Sequence, residues 1–250
     1  MTRTLLAVSP HLDDAVFSAG GTLAMRAREG WRVVVATCFT GNVATPTGFA
    51  LACQLDKGLP GDIDYMALRR AEDFAACRAI GAEFVHLPFL EAPHRGYGSA
   101  AALFAGQLPD DTIAAELVTA LGALIKARQP DLILGPMAIG HHADHLVVRS
   151  ALEAIGGRIS LWQDWPYVDR APARALVTTE TIFLDAAAVA SKILACQAYT
   201  TQLGFQFGSI EAMIGRLAQI DGERFLGLCA KKHAALSQTP LRAGALRTHP

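Results

Sequence analysis

Short apolar runs alternate with helically spaced segments along most of the chain. Residues 4–8 form an apolar run that ends at Ser9-Pro10, and from Asp14 apolar positions recur with helical spacing until Gly30. Residues 31–39 are rich in β-branched side chains and lie between glycines. This order predicts a βαβ unit, whose two strands pair in parallel through a right-handed crossover.

The same alternation continues towards the C-terminus. It predicts helices at residues 66–80, 112–128, 146–155, 187–199 and 210–217, and strands at 83–90, 132–134 and 159–162. Residues 41–65 and 92–111 lack a clear period, and loops of that length usually form lids or binding surfaces. We therefore expect a single α/β domain over residues 1–250, irregular from about residue 237, with a Rossmann-like, mostly parallel sheet and helices on both faces.

The amino-acid composition limits the kinds of function that the protein can have. Apolar residues make up 52% of the 250 positions and charged residues 18%, which suits a sheet buried on both faces. The 22 Lys and Arg nearly balance the 23 Asp and Glu without any block of like charge, so the chain offers no electrostatic footprint for nucleic acid. We expect a protein that acts on a small molecule.

The chain also lacks the usual marks of export. No apolar run approaches the length of a membrane span, and the N-terminal run is too short for the core of a signal peptide. The five cysteines are scattered without a CxxC pair, which argues against a disulfide framework or a zinc ribbon. The expectation is a cytoplasmic protein with reduced thiols and no membrane insertion.

Two polar clusters fall at predicted strand-to-helix turns. The first is His11-Leu12-Asp13-Asp14, and the second is His141-His142-Ala143-Asp144-His145. Ligands of open parallel sheets bind beyond the carboxyl ends of the strands, so two distant clusters can meet there. A dinucleotide is disfavoured at the first turn because G-x-G-x-x-G is absent and two carboxylates would repel a pyrophosphate.

A cation would relieve the repulsion between Asp13 and Asp14. Two imidazoles and one carboxylate are the usual ligands of a catalytic zinc ion that keeps an open position. His11 and Asp14, three residues apart across a turn, can face one ion, and His145 is the best placed third ligand. Asp13 would then lie beside the reacting water, where a general base is needed.

Simpler interpretations of these residues remain open at this point. Asp13 or Asp14 can cap the first helix, and Asp144 can cap a later one, because Asp is favoured at helix N-termini. The histidines of the second cluster can be solvated loop residues. Gly20-Gly21, deep in the first predicted helix, more simply permits close packing of that helix on the sheet.

The segments Ser9-Pro10-His11-Leu12-Asp13-Asp14, His142-Ala143-Asp144-His145 and Arg69-Arg70-Ala71-Glu72 resemble the LmbE-like, or PIG-L, family of zinc-dependent N-deacetylases. The resemblance extends from residue 4 to about residue 202, with weaker similarity at residues 162–167 and 198–202. Leu12 and Ala143 stand where the family usually has prolines, which removes no ligand.

The resemblance implies a role for each matched residue. His11, Asp14 and His145 would bind Zn²⁺, Asp13 would be the general base, His142 would stabilise the oxyanion or protonate the leaving amine, and Asp144 would orient a histidine. The residue types alone do not separate His141 from His142, and we interpret His141 as a solvated loop residue. Arg69 is a substrate or structural contact, or forms an ion pair with Glu72 or another carboxylate. Asp164 and Tyr167 line the substrate pocket or only follow the fifth strand.

The implied activity is removal of an N-acetyl group from an amino sugar or an N-acetylglucosamine-containing conjugate. A second hypothesis is an amidase that cleaves a larger sugar conjugate at the same metal site and differs in the loops at 41–65 and 92–111. A third is a Rossmann-like binding protein without catalysis, in which the acidic turn only caps a helix. Related enzymes are often homo-oligomers, which the resemblance extends to this chain.

Overall fold

A single mostly parallel sheet organises the computed structural model, which describes residues 2–170 and 177–228. Its strands within those residues are β1 (Thr4–Ser9), β2 (Arg32–Thr37), β3 (Glu83–His86), β4 (Leu132–Pro136), β5 (Ile159–Trp162), β6 (Glu180–Phe183) and β7 (Gly222–Leu228). Their order is β3-β2-β1-β4-β5-β7-β6. Strands β1 to β5 pair in parallel, and β7 pairs antiparallel with both β5 and β6.

Helices connect and cover these strands. They are α1 (Asp14–Arg28), α2 (Gly48–Leu55), α3 (Tyr65–Ala79), α4 (Ala100–Leu103), α5 (Ile113–Arg128), α6 (Ala143–Ile155), α7 (Ala186–Gln197), α8 (Thr200–Phe207) and α9 (Ile210–Leu217), with 3₁₀ turns at Ala92–His94 and Tyr167–Arg170. None of the helices in the described ranges combines the length and the apolar character needed to cross a bilayer.

The central strands are apolar on both faces, as their sequences predict. In β1, Leu5 and Ala7 belong to the core on one face of the sheet, whereas Leu6 and Val8 belong to the core on the other. Side chains alternate between the two faces of a strand, so a continuous apolar run is what a sheet covered on both sides requires. The predicted α/β fold, with a mostly parallel sheet and helices on both faces, is confirmed.

Several local predictions differ from the structure. A continuous loop over residues 41–65 is wrong because Gly48–Leu55 forms α2, whose nearly uniform apolar sequence lacks the stripe that marks an amphipathic helix. The third strand ends at His86 rather than residue 90, just before Pro88, which has no N–H to donate to a ladder. The sequence patterns also missed α4, α8, β6 and β7. The predicted irregular tail from residue 237 lies outside the described residues.

Helix α1 lies close to the antiparallel end of the sheet. A Cβ atom at Gly21 would collide with Leu184, in agreement with a packing role for this glycine, whereas a Cβ atom at Gly20 would make only ordinary contacts. The Glu223 carboxylate on β7 accepts the N–H groups of Gly21 at 3.0 Å and Thr22 at 2.7 Å, and the ammonium group of Lys192 at 2.6 Å. Lys192 and Glu223 are 2% and 3% exposed, so this ion pair is shielded from water.

Replacing Lys192 with Ala is expected to lower the free energy of unfolding by about 3–5 kcal/mol, because the Glu223 charge then stays buried without its partner. Urea unfolding followed by circular dichroism measures the change. Lys126, exposed on α5, provides the matched control as Lys126→Ala. A Lys192→Ala variant as stable as this control would show that the ion pair does not stabilise the fold.

Candidate metal and catalytic site

The two polar clusters meet at one edge of the sheet. The first cluster follows β1 and the second begins α6 after β4, and these two strands are parallel neighbours. The chain continues from β1 to β2 on one side and from β4 to β5 on the other. The carboxyl ends of β1 and β4 therefore form the topological switch point, where open α/β sheets have their crevice.

The turn between β1 and α1 folds the Asp14 carboxylate back towards His11. The Ser9 hydroxyl donates to the His11 carbonyl at 2.7 Å and accepts the Ala15 N–H at 3.0 Å. The His11 N–H in turn donates to Asp14 Oδ2 at 2.9 Å. Asp13 occupies the N-cap position, but its side chain accepts no capping hydrogen bond. Helix capping therefore does not explain the two carboxylates.

Three donor atoms converge at this turn. His11 Nδ1 lies 3.1 Å and His145 Nε2 lies 3.2 Å from the same oxygen, Asp14 Oδ2. The candidate ligand atoms of the three residues all lie within 4.8 Å of one another. His145 Nε2 is buried, and its approach to Asp14 Oδ2 lacks the geometry of a hydrogen bond, so within the described part of the chain this polar atom faces the cluster without a hydrogen-bond partner. The donor set and its geometry fit a divalent cation such as zinc.

Carboxylates hold both imidazoles from behind. Asp144 Oδ2 lies 2.8 Å from His11 Nε2, and Asp164 Oδ1 lies 2.8 Å from His145 Nδ1. Asp164 also accepts the Ile139 N–H at 2.9 Å and is 1% exposed. Asp164 thus contacts a histidine and is absent from the lining of the cleft described below. Such outer partners fix the tautomer and the orientation of metal-binding histidines.

His11, His142 and Asp144 form a second close group of metal-binding residue types. Several of its atoms already have partners, however. His142 Nδ1 accepts the Asp144 N–H at 3.2 Å, which caps α6, and Asp144 accepts from Arg95 at 2.7 Å. The cap of α6 is therefore His142, and the interpretation of Asp144 as only a helix cap is wrong. The unpartnered nitrogen of His145 favours the first group.

Asp13 faces the cleft beside this cluster. Burial and the neighbouring charge of Asp14 raise the pKa of the Asp13 carboxyl to about 7, and the Arg69 guanidinium acts in the opposite direction. Arg69 Nη2 lies 3.6 Å from Asp13 Oδ2. A carboxylate that titrates near neutral pH is suited to taking up a proton during a reaction.

His142 is held as a neutral hydrogen-bond donor. Burial, and next the nearby His11, lower the pKa of His142 to about 3. Because Nδ1 accepts the Asp144 N–H, the single proton of the neutral ring is on Nε2. His142 also lines the cleft, where this N–H group is available for a ligand oxygen.

Arg69 is bound to groups other than the predicted Glu72. Its guanidinium donates to Glu91 at 2.5 Å and to the Leu12 carbonyl at 3.3 Å. Glu72 instead accepts hydrogen bonds from the hydroxyl groups of Thr200 and Thr201 at the start of α8, both at 2.7 Å. The alternative ion pair with another carboxylate is the one that the structure contains.

The two remaining candidates, Tyr167 and His141, lie in different surroundings. The ring of Tyr167 lies 5.3 Å from that of His145, centroid to centroid, and lines the cleft. His141 is exposed, with φ at +63°, in agreement with its interpretation as a solvated loop residue.

The cluster lies at the base of a cleft of about 280 Å³. The sequence patterns missed several of its lining residues, which are Phe49, Glu91, Leu103, Phe104, Gln202 and Phe205. Half of them, Phe49, Leu103 and Phe104, come from the segments 41–65 and 92–111, whose length was the only signal that these segments bind a ligand. Phe205 and Gln202 come from α8, for which the sequence offered no helical signal. The cleft therefore combines a polar base with an apolar wall.

Known proteins resemble this chain in both sequence and fold. Residues 6–155 match the family model described as PIG-L, GlcNAc-PI de-N-acetylase. The 2'-N-acetylparomamine deacetylase of Streptomyces fradiae is 35% identical over 176 residues, which cover 68% of this chain and 60% of that protein. The match thus spans less than two thirds of this curated relative.

Solved structures cover nearly the whole chain. The deacetylase–bog complex from the biosynthesis pathway of teicoplanin superposes with a TM-score of 0.81 at 26% identity, over 92% of this chain and 100% of that one. The A40926 pseudoaglycone deacetylase Dbv21 superposes with a TM-score of 0.72 at 31% identity, over 90% and 96%. With the family model matching 150 consecutive residues, from 6 to 155, the chain belongs to the PIG-L family, GlcNAc-PI de-N-acetylase.

Proposed function

We propose that this protein is a zinc-dependent N-deacetylase that hydrolyses the acetamide of an amino sugar or an amino-sugar conjugate. The observation that carries the proposal is the position of Asp13 in the cleft beside the converging atoms of His11, Asp14 and His145. The names of the relatives support an amino-sugar substrate, since these proteins are named as deacetylases of paromamine, teicoplanin and A40926 compounds.

His11, Asp14 and His145 would hold the ion through two imidazole nitrogens and one carboxylate oxygen. A zinc ion held there would polarise the substrate carbonyl group and acidify the attacking water molecule. Asp144 and Asp164 keep the two rings in the required tautomers by accepting hydrogen bonds from their far nitrogens.

Asp13 takes the proton of the attacking water as the oxygen adds to the amide carbon. Its raised pKa favours proton uptake, and the Arg69 guanidinium, 3.6 Å away, offsets part of this rise. When the carbon–nitrogen bond breaks, Asp13 returns this proton to the nitrogen, so that a free amine and acetic acid leave, and the acid releases its proton to solvent as acetate. One carboxyl group then serves as base and acid in turn.

His142 donates its Nε2–H to the oxygen that gains negative charge in the tetrahedral state. The low pKa of its ring makes a neutral donor more suitable here than a cationic proton source, so we assign it to oxyanion stabilisation rather than to protonation of the amine. Tyr167 and the apolar wall, with Phe49, Phe104 and Phe205, would contact the rest of the substrate.

The apolar wall also favours a second candidate, an amidase that acts on a larger conjugate. The wall lies beside the metal ligands and is formed largely by the long segments 41–65 and 92–111. Such a surface offers more contact than an acetyl group and one sugar ring require. Both candidates use the same base and the same ligands and differ in the acyl group removed.

Released acetate, measured across N-acetylated amino sugars that include 2'-N-acetylparomamine, tests the proposal. We expect turnover of at least one member, its loss after treatment with a chelator, and its return on adding one equivalent of zinc. A parallel series of substrates with larger N-acyl groups distinguishes the amidase from the deacetylase. Zinc-loaded protein that hydrolyses neither series would contradict both candidates.

A further inference from the structure

Arg95 connects two parts of the site through one guanidinium group. It follows the 3₁₀ turn at Ala92–His94, and its side chain is 11% exposed. Nε and Nη2 donate to the two carboxylate oxygens of Asp111, at 3.2 and 2.9 Å, and Nη2 also donates to Asp144 Oδ1 at 2.7 Å. A single side chain thus holds two buried carboxylates in fixed positions.

The Asp144 branch leads to the metal ligand His11. Asp144 is fully buried, and its Oδ2 accepts the Ala92 N–H at 3.0 Å and contacts His11 Nε2 at 2.8 Å. Because the carboxylate only accepts, His11 carries its proton on Nε2 and presents the Nδ1 lone pair towards Asp14. The orientation of this ligand therefore depends on a carboxylate that Arg95 holds from the other side.

The Asp111 branch closes the segment that forms part of the cleft wall. Asp111 also accepts from the Tyr97 hydroxyl at 2.9 Å, and Tyr97 in turn accepts the Leu108 N–H at 2.9 Å. Residues 95 and 111 are thus joined at the base of the segment, and Leu103 and Phe104 between them line the cleft. The position of this wall depends on the same guanidinium.

We infer that Arg95 is a positioning residue that couples the cleft wall at Leu103 and Phe104 to the metal ligand His11, through Asp111 on one side and Asp144 on the other. A planar guanidinium can serve two carboxylates in fixed directions, whereas the single ammonium of a lysine cannot reproduce this fork. The metal half of the inference, the coupling to His11, rests on the proposed zinc site, and the substrate half, the coupling to the cleft wall, rests on the proposed deacetylase activity.

Zinc titration of chelator-treated protein against a chromophoric competitor tests the metal half without any substrate. Arg95→Ala is expected to weaken zinc binding by about 10- to 100-fold, the usual effect of removing an outer partner of a metal ligand. Arg95→Lys should give an intermediate loss. Arg128→Ala, at an exposed ion pair with Glu83 on another face, is the matched control and should bind zinc as the unmodified protein does.

Asp111→Asn separates the two branches. It loosens the closure of the 95–111 segment but leaves the contact between Arg95 and Asp144, so KM should rise while zinc affinity stays near that of the unmodified protein. Thermal melting of the metal-free variants reports their folding. If Arg95→Ala fails to fold, the titration of Arg95→Lys decides the metal half.

Unchanged zinc affinity in a folded Arg95→Ala or Arg95→Lys variant would overturn the inference, because a merely structural role lowers stability alone. Equal losses of zinc affinity in Asp111→Asn and Arg95→Ala would overturn the division into two branches. Absence of acetate release from the unmodified protein would instead contradict the proposed function, and the zinc titration would still be interpretable.

Discussion

Replacing Asp13 with Asn is expected to lower kcat for acetamide hydrolysis by roughly 10²- to 10⁴-fold, the usual contribution of a general base. The amide keeps the size of the carboxyl group but cannot take up the proton of the attacking water. KM should change little, because the proposed metal ligands and the proposed donor His142 remain in place. Initial-rate kinetics of acetate release, with zinc content measured on the same sample, test this expectation.

Two further variants make the result specific to Asp13. Asp14→Asn changes the neighbouring residue and removes a proposed ligand, so it should lose zinc as well as activity, whereas Asp13→Asn should keep one zinc per chain. Asp221→Asn, at an exposed position just before β7, controls for loss of a negative charge. An Asp13→Asn enzyme within a few-fold of the unmodified rate would exclude Asp13 as the base.

The sequence predicted the site where local patterns set the geometry. A buried strand followed by a polar turn and a helix fixes the direction in which His11 and Asp14 point, because parallel strands share one carboxyl edge. The same reasoning placed His145 at the start of α6. These predictions needed only the period of the apolar positions and the spacing of the polar ones.

The sequence could not decide between His141 and His142, which are neighbours of the same residue type. The backbone separates them: His142 accepts the Asp144 N–H at the start of α6, and His141 has a positive φ that turns it to solvent. Arg69 and Glu72 likewise have the spacing of a helical ion pair, yet each binds a residue from a distant segment. Long-range packing overrides such local signals.

The sequence did not predict the residues of the cleft wall, for a different reason. Phe49 and Phe205 lie on short helices and Phe104 directly follows one, and these helices pack through only a few side chains, so no amphipathic stripe marks them. Asp164 follows β5 and was expected to line the pocket or merely follow the strand. The position of His145 on the neighbouring α6 brings their side chains within 2.8 Å.

Replacing His145 with Ala is expected to abolish stoichiometric zinc binding and, with it, turnover. The loss of affinity should exceed the roughly 10- to 100-fold effect of removing an outer partner, because a proposed ligand itself is removed. Zinc per chain after gel filtration and the titration described for Arg95 measure the effect. His141→Ala, four positions away on the exposed loop, should keep both zinc and activity.

The His145→Ala variant also leaves Asp164 buried without its ring partner, which is expected to lower stability by about 1–3 kcal/mol. Melting of the metal-free protein measures this loss of stability apart from the loss of zinc. His145→Gln serves as a second variant, because it retains a polar group near Asp164 but should still lose the ion. If both variants instead bind one zinc with unchanged affinity, the ion is held by the other close group, His11, His142 and Asp144. In that case His142→Ala would release it, and His142 would be a ligand rather than the donor to the oxyanion.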